Sequence, residues 1–306
     1  MKRPAEHSGT FHRRLDGRRA GSAEALGQPF LRLLCSAARP VDALVLVSVP
    51  LVLVGVFTLP LEARQALAFS YADPSLVTAY TANFVHLDAW HLLSNLAGYA
   101  LVVPVVYLLS VLGGTRSRFY VVFTVFLVVF PFVLSGLNLA VARPGYTVGF
   151  SGVIMAFLGF LPVALSSYLS THFEVDSPLD LSAALFFGGL ALIAVLSLQS
   201  VLTYGLALAA LLAAGLHTLP FVSTADLFPA DVRAGVHVPG YVELAIAALV
   251  LFAGLTAVAF PTDPVVDGTV INLYGHLLGF ALGFIVTYAT VEIITRDSGR
   301  VRGVTG

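Results

Sequence analysis

The spacing of long apolar runs constrains this chain more than any other feature. A helix needs about 20 apolar residues to cross the hydrocarbon core of a membrane. Eight such stretches can be laid out: 42–60, 88–112, 118–142, 148–168, 179–198, 201–221, 242–260 and 270–293. The run from Leu179 to Leu219 is too long for one crossing, and its most polar adjacent pair, Gln199 and Ser200, divides it into a tight helical hairpin. Charged residues make up 11% of the chain and mean hydropathy is +0.92. A soluble domain has about a quarter of its residues charged, so the expected fold is an all-α polytopic membrane helix bundle with about eight transmembrane helices. The net charge of −1 argues against nucleic acid as a partner. The single cysteine, Cys35, rules out an intrachain disulfide and any zinc site built on two thiolates. No metal and no cofactor is expected.

Three regions follow: a basic N-terminal tail over 1–40, a transmembrane domain over 41–294 and a short C-terminal tail over 295–306. The first apolar run lacks the short core and small-residue cleavage site of a signal peptide. Within the tail, residues 25–38 have the pattern of a short interfacial helix, with Phe30, Leu31, Leu33 and Leu34 towards lipid. A basic tail held near anionic headgroups is the competing reading. With a cytoplasmic N-terminus, fourteen Lys and Arg fall on the inner side and only Arg64 and Arg143 on the outer. The positive-inside rule selects that orientation for a cell-membrane protein, and an even span count returns the C-terminus to the cytoplasm.

The histidines then sort by depth. His7 and His12 lie in the tail, and His172, His217 and His237 near inner loops. His86, His91 and His276 fall at or just inside the outer ends of spans. Ser151, in Gly149-Phe150-Ser151-Gly152, is expected about one turn into the fourth span, and His276 about two turns into the eighth. Both spans run in the same direction, so these groups face one compartment. A lone Gly-x-Ser-Gly reads as helix packing, but ionisable groups gathered at one depth of a membrane read as functional.

A serine hydroxyl becomes a useful nucleophile when a base within hydrogen-bond reach takes its proton, and imidazole is the usual base near neutrality. His276 is the candidate base. Gly279 and Gly283 share its helix face, and Gly152, Ala156 and Gly159 form a matching small-residue strip, so the two backbones can approach closely. His91 and Asn95, one turn apart, supply candidate donors for an oxyanion together with the Ser151 backbone N–H. Asp88 reads as the N-cap of the second span rather than a triad member. With no acidic residue near His276 in sequence, a Ser–His dyad is the economical arrangement.

His86-x4-His91-x3-Asn95, then Gly149-x-Ser151-Gly152, then His276-x2-Gly279-x3-Gly283, in that order on three helices, resembles the rhomboid family of intramembrane serine proteases. The resemblance covers roughly residues 42–294. It implies a rhomboid-like six-helix core plus an extra hairpin, with Ser151 as nucleophile, His276 as base, and His91 and Asn95 in the oxyanion hole. His86 is implied to support the site or its water supply, beside Gly149 and Gly152. The implied reaction is hydrolysis of a peptide bond in or beside a transmembrane helix of a single-span or multi-span substrate, near the outer face of the lipid bilayer. Small residues at the cleaved bond are also implied.

Three departures from the family pattern stand out. Three crossings rather than one separate Ser151 from His276. Met155 stands where the family often has a Tyr against the catalytic imidazole, leaving Phe150 or another group to orient His276. The first outer loop, 61–87, lacks the family's Trp-Arg pair, and Arg64 is no obvious replacement.

Among rival classes, a transporter would place its polar groups at the bilayer midplane. A retinal Schiff base has no lysine beyond Lys2, and His-Glu-x-x-His is absent. A catalytically inactive rhomboid-like binder or escort is the remaining alternative, and such relatives typically lack the Ser or the His.

Overall fold

The computed structural model describes residues 32, 39–141, 144–173, 175–197, 200–223, 239–266 and 269–304, with backbone alone from 292 onward. The interfacial helix expected over 25–38 lies, apart from Arg32, outside the described residues, as does His237. Helix α1 (Pro40–Phe57) is followed by a loop containing α2 (Leu61–Ala66), β1 (Phe69–Ser70), α3 (Leu76–Thr81) and a 3-10 turn (Ala82–Phe84). Then come α4 (Ala89–Leu112), α5 (Arg116–Val128), α6 (Phe130–Asn138), β2 (Tyr146–Thr147), α7 (Ser151–His172), α8 (Pro178–Ser197) and α9 (Val201–Ser223). Helix α10 (Tyr241–Ala259), the hairpin β3 (Val265–Val266) and β4 (Thr269–Val270), and α11 (Leu273–Val304) complete the chain.

Among the described residues, seven helices are long and apolar enough to cross a membrane: α1, α4 and α7 to α11. The pair α5–α6, bent by 44° at its break, counts as an eighth if it is read as one broken span. The protein is an all-α polytopic bundle, and its seven to eight candidate crossings fall on the expected apolar runs. The outward-facing leucines and valines, such as Leu44, Leu101, Leu208 and Val250, then meet lipid.

The structure corrects the details of several spans. The third is broken, because Pro131 at the start of α6 lacks an N–H to continue the ladder and its ring crowds the preceding turn. The fourth begins at Ser151 and not before, since β2 pairs with β1 and Gly149 takes φ 113°, a left-handed geometry that a side chain opposes. The eighth begins at Leu273, because 265–270 form a hairpin, and its helix runs on to Val304, into the stretch expected as a tail. The hairpin break near Gln199 is present, with Ser200 Oγ accepting from the Thr203 N–H to start α9.

Helix α7 is the axis of the bundle, with 83% of its span inside the protein. Its closest neighbour is α11, and the reason is the absence of side chains. A Cβ on Gly279 would overlap the Gly152 carbonyl, one on Gly283 the Ala156 carbonyl, and one on Gly159 the Phe280 carbonyl. The Gly279 and Gly283 contacts advance one helical turn at a time on both helices, so α7 and α11 run parallel. Extending that register back one turn sets His276 level with Gly149.

At the far end of the bundle, buried Asp42 of α1 accepts hydrogen bonds from the Tyr107 and Tyr120 hydroxyls and pairs with Arg116 at 2.8 Å. This cluster fastens the first three crossings together, with the buried carboxylate fully partnered. The seam is the more sensitive region. Gly279→Ala should destabilise the protein by about 1–3 kcal/mol, the usual cost of overpacking. Gly188→Ala, with nothing within 4 Å of the new methyl, should be neutral or stabilise by up to about 1 kcal/mol. Thermal unfolding in detergent distinguishes the two, and equal effects would contradict a backbone-to-backbone seam.

Candidate active site

One end of the bundle collects the polar groups of interest. Asp88 caps α4, its carboxylate accepting from the His91 N–H at 2.7 Å, which sets His91 in the first turn. Gly149, whose N–H donates to the Ala82 carbonyl at 2.9 Å, lies directly against the His91 ring. A Cβ there would stand 2.6 Å from Nε2 of His91. Gly149 therefore answers two demands: a positive φ and room for an imidazole.

Ser151 is the first residue of α7, so it sits at the mouth of the helix rather than one turn inside. The first turn's N–H groups have no intrahelical acceptor, and they begin from Val153 to bond back to Phe150. That leaves the Ser151 and Gly152 N–H groups at the positive end of the helix dipole. Phe150 is fully buried between Phe84 and Tyr99, at 5.5 and 6.2 Å between ring centroids, and does not orient His276.

His276 lies in the first turn of α11, also shallower than expected. Its Nδ1 is 2.9 Å from the Ala259 carbonyl, at the end of α10, and the Phe260 ring packs nearly perpendicular to it at 6.0 Å. His91 is within electrostatic reach. No hydrogen bond joins Ser151 Oγ to His276 among the described residues. Helix α11 itself is started by Asn272, whose Oδ1 accepts from the Gly275 N–H at 2.9 Å and whose Nδ2 donates to Asn138 Oδ1 at 2.9 Å. The entry of the His276 helix is thereby tied to the end of bent α6.

Asn95 is buried one turn below His91. One of its amide N–H groups donates to the His91 carbonyl at 2.8 Å, while its Oδ1 has no partner. One N–H of that amide is thus taken up by its own helix. His86 is fully buried, its ring edge-on to His91 at 4.9 Å. Neither ring nitrogen has a hydrogen bond, although the Phe84 backbone is nearby. Burial, helped by the neighbouring His91, pushes the His86 imidazole down to about 3, with Asp88 opposing.

Sequence reasoning missed Ala259, Phe260, Asn138 and Asn272. Only Asn272, an Asn just before an apolar run, carried a readable signal, that of a helix N-cap. The first outer loop also has an anchor. Arg64 donates from Nη1 to the His86 carbonyl at 2.6 Å and the Leu87 carbonyl at 3.3 Å, while its guanidinium lies over the Phe57 ring at 4.4 Å. Arg64 therefore holds the loop to the end of α1, a part the sequence did not assign to it. His172, by contrast, is a packing residue at the other end, its Nε2 bonded to the Leu112 carbonyl at 3.0 Å.

Residues 73–214 match the family model of the Rhomboid domain. Over that stretch the chain is similar to the rhomboid family, a family of intramembrane serine proteases with some inactive members. The matched stretch includes His86, His91, Asn95 and Ser151 and ends before His276. No curated protein and no solved structure gives a match.

His86 yields a pH prediction. In the folded protein it stays neutral to about pH 3, whereas in the unfolded chain it takes up a proton near 6.5. Protonation below 6.5 therefore favours unfolding. The stability is fully present above that pH and is lost as pH falls towards 3. His86→Phe should flatten the acid limb of a thermal-stability profile, and an unchanged limb would contradict a buried, neutral imidazole.

Proposed function

We propose that the protein is an intramembrane serine endopeptidase that cleaves membrane proteins within or next to a transmembrane helix. The observation that carries this reading is the glycine-lined seam between α7 and α11, which runs parallel and in register. It sets the first turns of the Ser151 and His276 helices side by side, with His91 against Gly149. The Rhomboid-domain match over residues 73–214 supports the same reading, and both Ser151 and His276 are present.

In the proposed reaction, Ser151 Oγ attacks the scissile carbonyl while His276 takes its proton. The oxyanion is met by the Ser151 N–H at the helix mouth, with His91 and Asn95 as side-chain donors once the Asn95 amide turns from its own helix. His276 then returns the proton to the leaving amine, an acyl-enzyme remains on Ser151, and water releases it with His276 again as base. His86 and Gly152 support the site, the former through its contact with His91 and the latter by leaving room for Leu134 of α6.

Charge asymmetry supports an orientation with both termini cytoplasmic and the Ser151 end facing outward. A Ser at a helix mouth suits access of water from that side. Substrate helices must unwind locally before attack, because a continuous helix protects its own backbone, so Gly, Pro or polar residues near the cleaved bond are favoured. Residues 41–294 then form the protease domain, between two tails.

Purified protein in liposomes should cleave a single-span test substrate, and Ser151→Ala and His276→Ala should each abolish cleavage while the bundle stays folded. Asn95→Ala or His91→Ala should lower kcat by about tenfold to a thousandfold, as expected for loss of an oxyanion donor. A folded parent that binds such substrates without cutting them would point instead to a client-binding relative.

A further inference from the structure

The base of a Ser–His pair has to present one bare nitrogen to the hydroxyl. In a triad, a carboxylate secures this by taking the hydrogen on the other nitrogen and stabilising the imidazolium that forms. Among the described residues no carboxylate faces His276; the groups that act on it are the Ala259 carbonyl and His91. A carbonyl can only accept. At 2.9 Å from the Ala259 oxygen, Nδ1 must therefore be the protonated nitrogen of the neutral ring, and Nε2 is left bare.

The donor of that carbonyl matters. Ala259 is the last residue of α10, one of the four carbonyls that a helix leaves without an internal partner. It lies at the negative end of the helix dipole, equivalent to about half an elementary charge. Charge of that sign beside an imidazole does part of the work of a carboxylate, more so where water is excluded. The end of α10 is itself fixed. The Phe260 N–H donates to the Thr256 carbonyl at 3.2 Å, and buried Thr256 bonds back to the Phe252 carbonyl at 2.6 Å. Phe252 in turn packs on Phe280 of the His276 helix. Phe260, 1% exposed and nearly perpendicular to the imidazole, blocks the ring from swinging away.

We infer that the C-terminal end of α10, through the Ala259 carbonyl and the Phe260 ring, is the positioning element of His276. It takes the part that an acidic side chain plays in a triad. Its catalytic consequence rests on the protease reading, whereas the ring tautomer it enforces does not.

The test replaces Phe260 with phenyllactic acid, which turns the Ala259–Phe260 amide into an ester and weakens the Ala259 oxygen as an acceptor. Lactic acid at position 259 is the control, because it removes a nearby backbone N–H and leaves that carbonyl an amide. Two readouts are taken. Nitrogen-15 spectra of labelled histidine, with His276 assigned by His276→Gln, report the tautomer, and turnover of a single-span substrate reports the reaction. The parent and the control should show His276 protonated at Nδ1. The Phe260 ester should shift it towards Nε2 and lower kcat about tenfold with KM little changed, the scale on which second-shell partners act. A parent protonated at Nε2, or an ester variant with an unchanged tautomer, overturns the inference. A parent with the Nδ1 tautomer and no cleavage sinks the protease reading and leaves the positioning role intact.

Discussion

The close approach of α7 and α11 is the constraint on which the rest depends. Lipid offers no hydrophobic drive for two apolar helices to associate, so their contact has to come from backbone packing where side chains are absent. Gly159, Gly279 and Gly283 provide it, each against the facing backbone. Because the contacts repeat with the helical turn, the seam fixes direction and register as well as distance. The placement of Ser151 and His276 at one end is thus a consequence of packing along the length of both helices.

The three crossings between the serine and histidine helices are not equivalent. Helix α8 joins the core, its Phe186 stacked on Phe280 and Phe284 and its Gly189 close to Phe252. Helix α9 rests chiefly on α8, with His217 paired to Asp180 at 3.0 Å, and shows most of its surface to lipid. Helix α10 returns to the centre, where Tyr168 donates to the Tyr241 carbonyl at 3.0 Å and its far end reaches His276. Of the three, α10 is the one in a position to act on the chemistry, and α9 is the peripheral addition.

Much of this was legible in the sequence, and the exceptions have a common cause. Span number follows from hydropathy alone, because the bilayer sets one length for every crossing. The break near Gln199 and Ser200 was visible as polarity within an apolar run, and the small-residue strips as helical periodicity. Pro131 was visible too, but whether a proline kinks a span or merely starts one depends on the fold around it. The shallower positions of Ser151 and His276 follow from Gly149 and from the hairpin at 265–270, whose pairings join distant or irregular segments. Arg64, Asn138 and Ala259 act through backbone carbonyls or a partner more than a hundred positions away. A carbonyl has no side-chain identity, so no residue type announces that it will hold an imidazole in place.

The most direct test of the central claim, a serine activated by the histidine across the seam, is the site of reaction with a fluorophosphonate. Peptide mapping of the labelled protein should find the adduct on Ser151 and should lose it in His276→Ala. An adduct on another residue, or one on Ser151 that forms as fast without His276, would contradict the account.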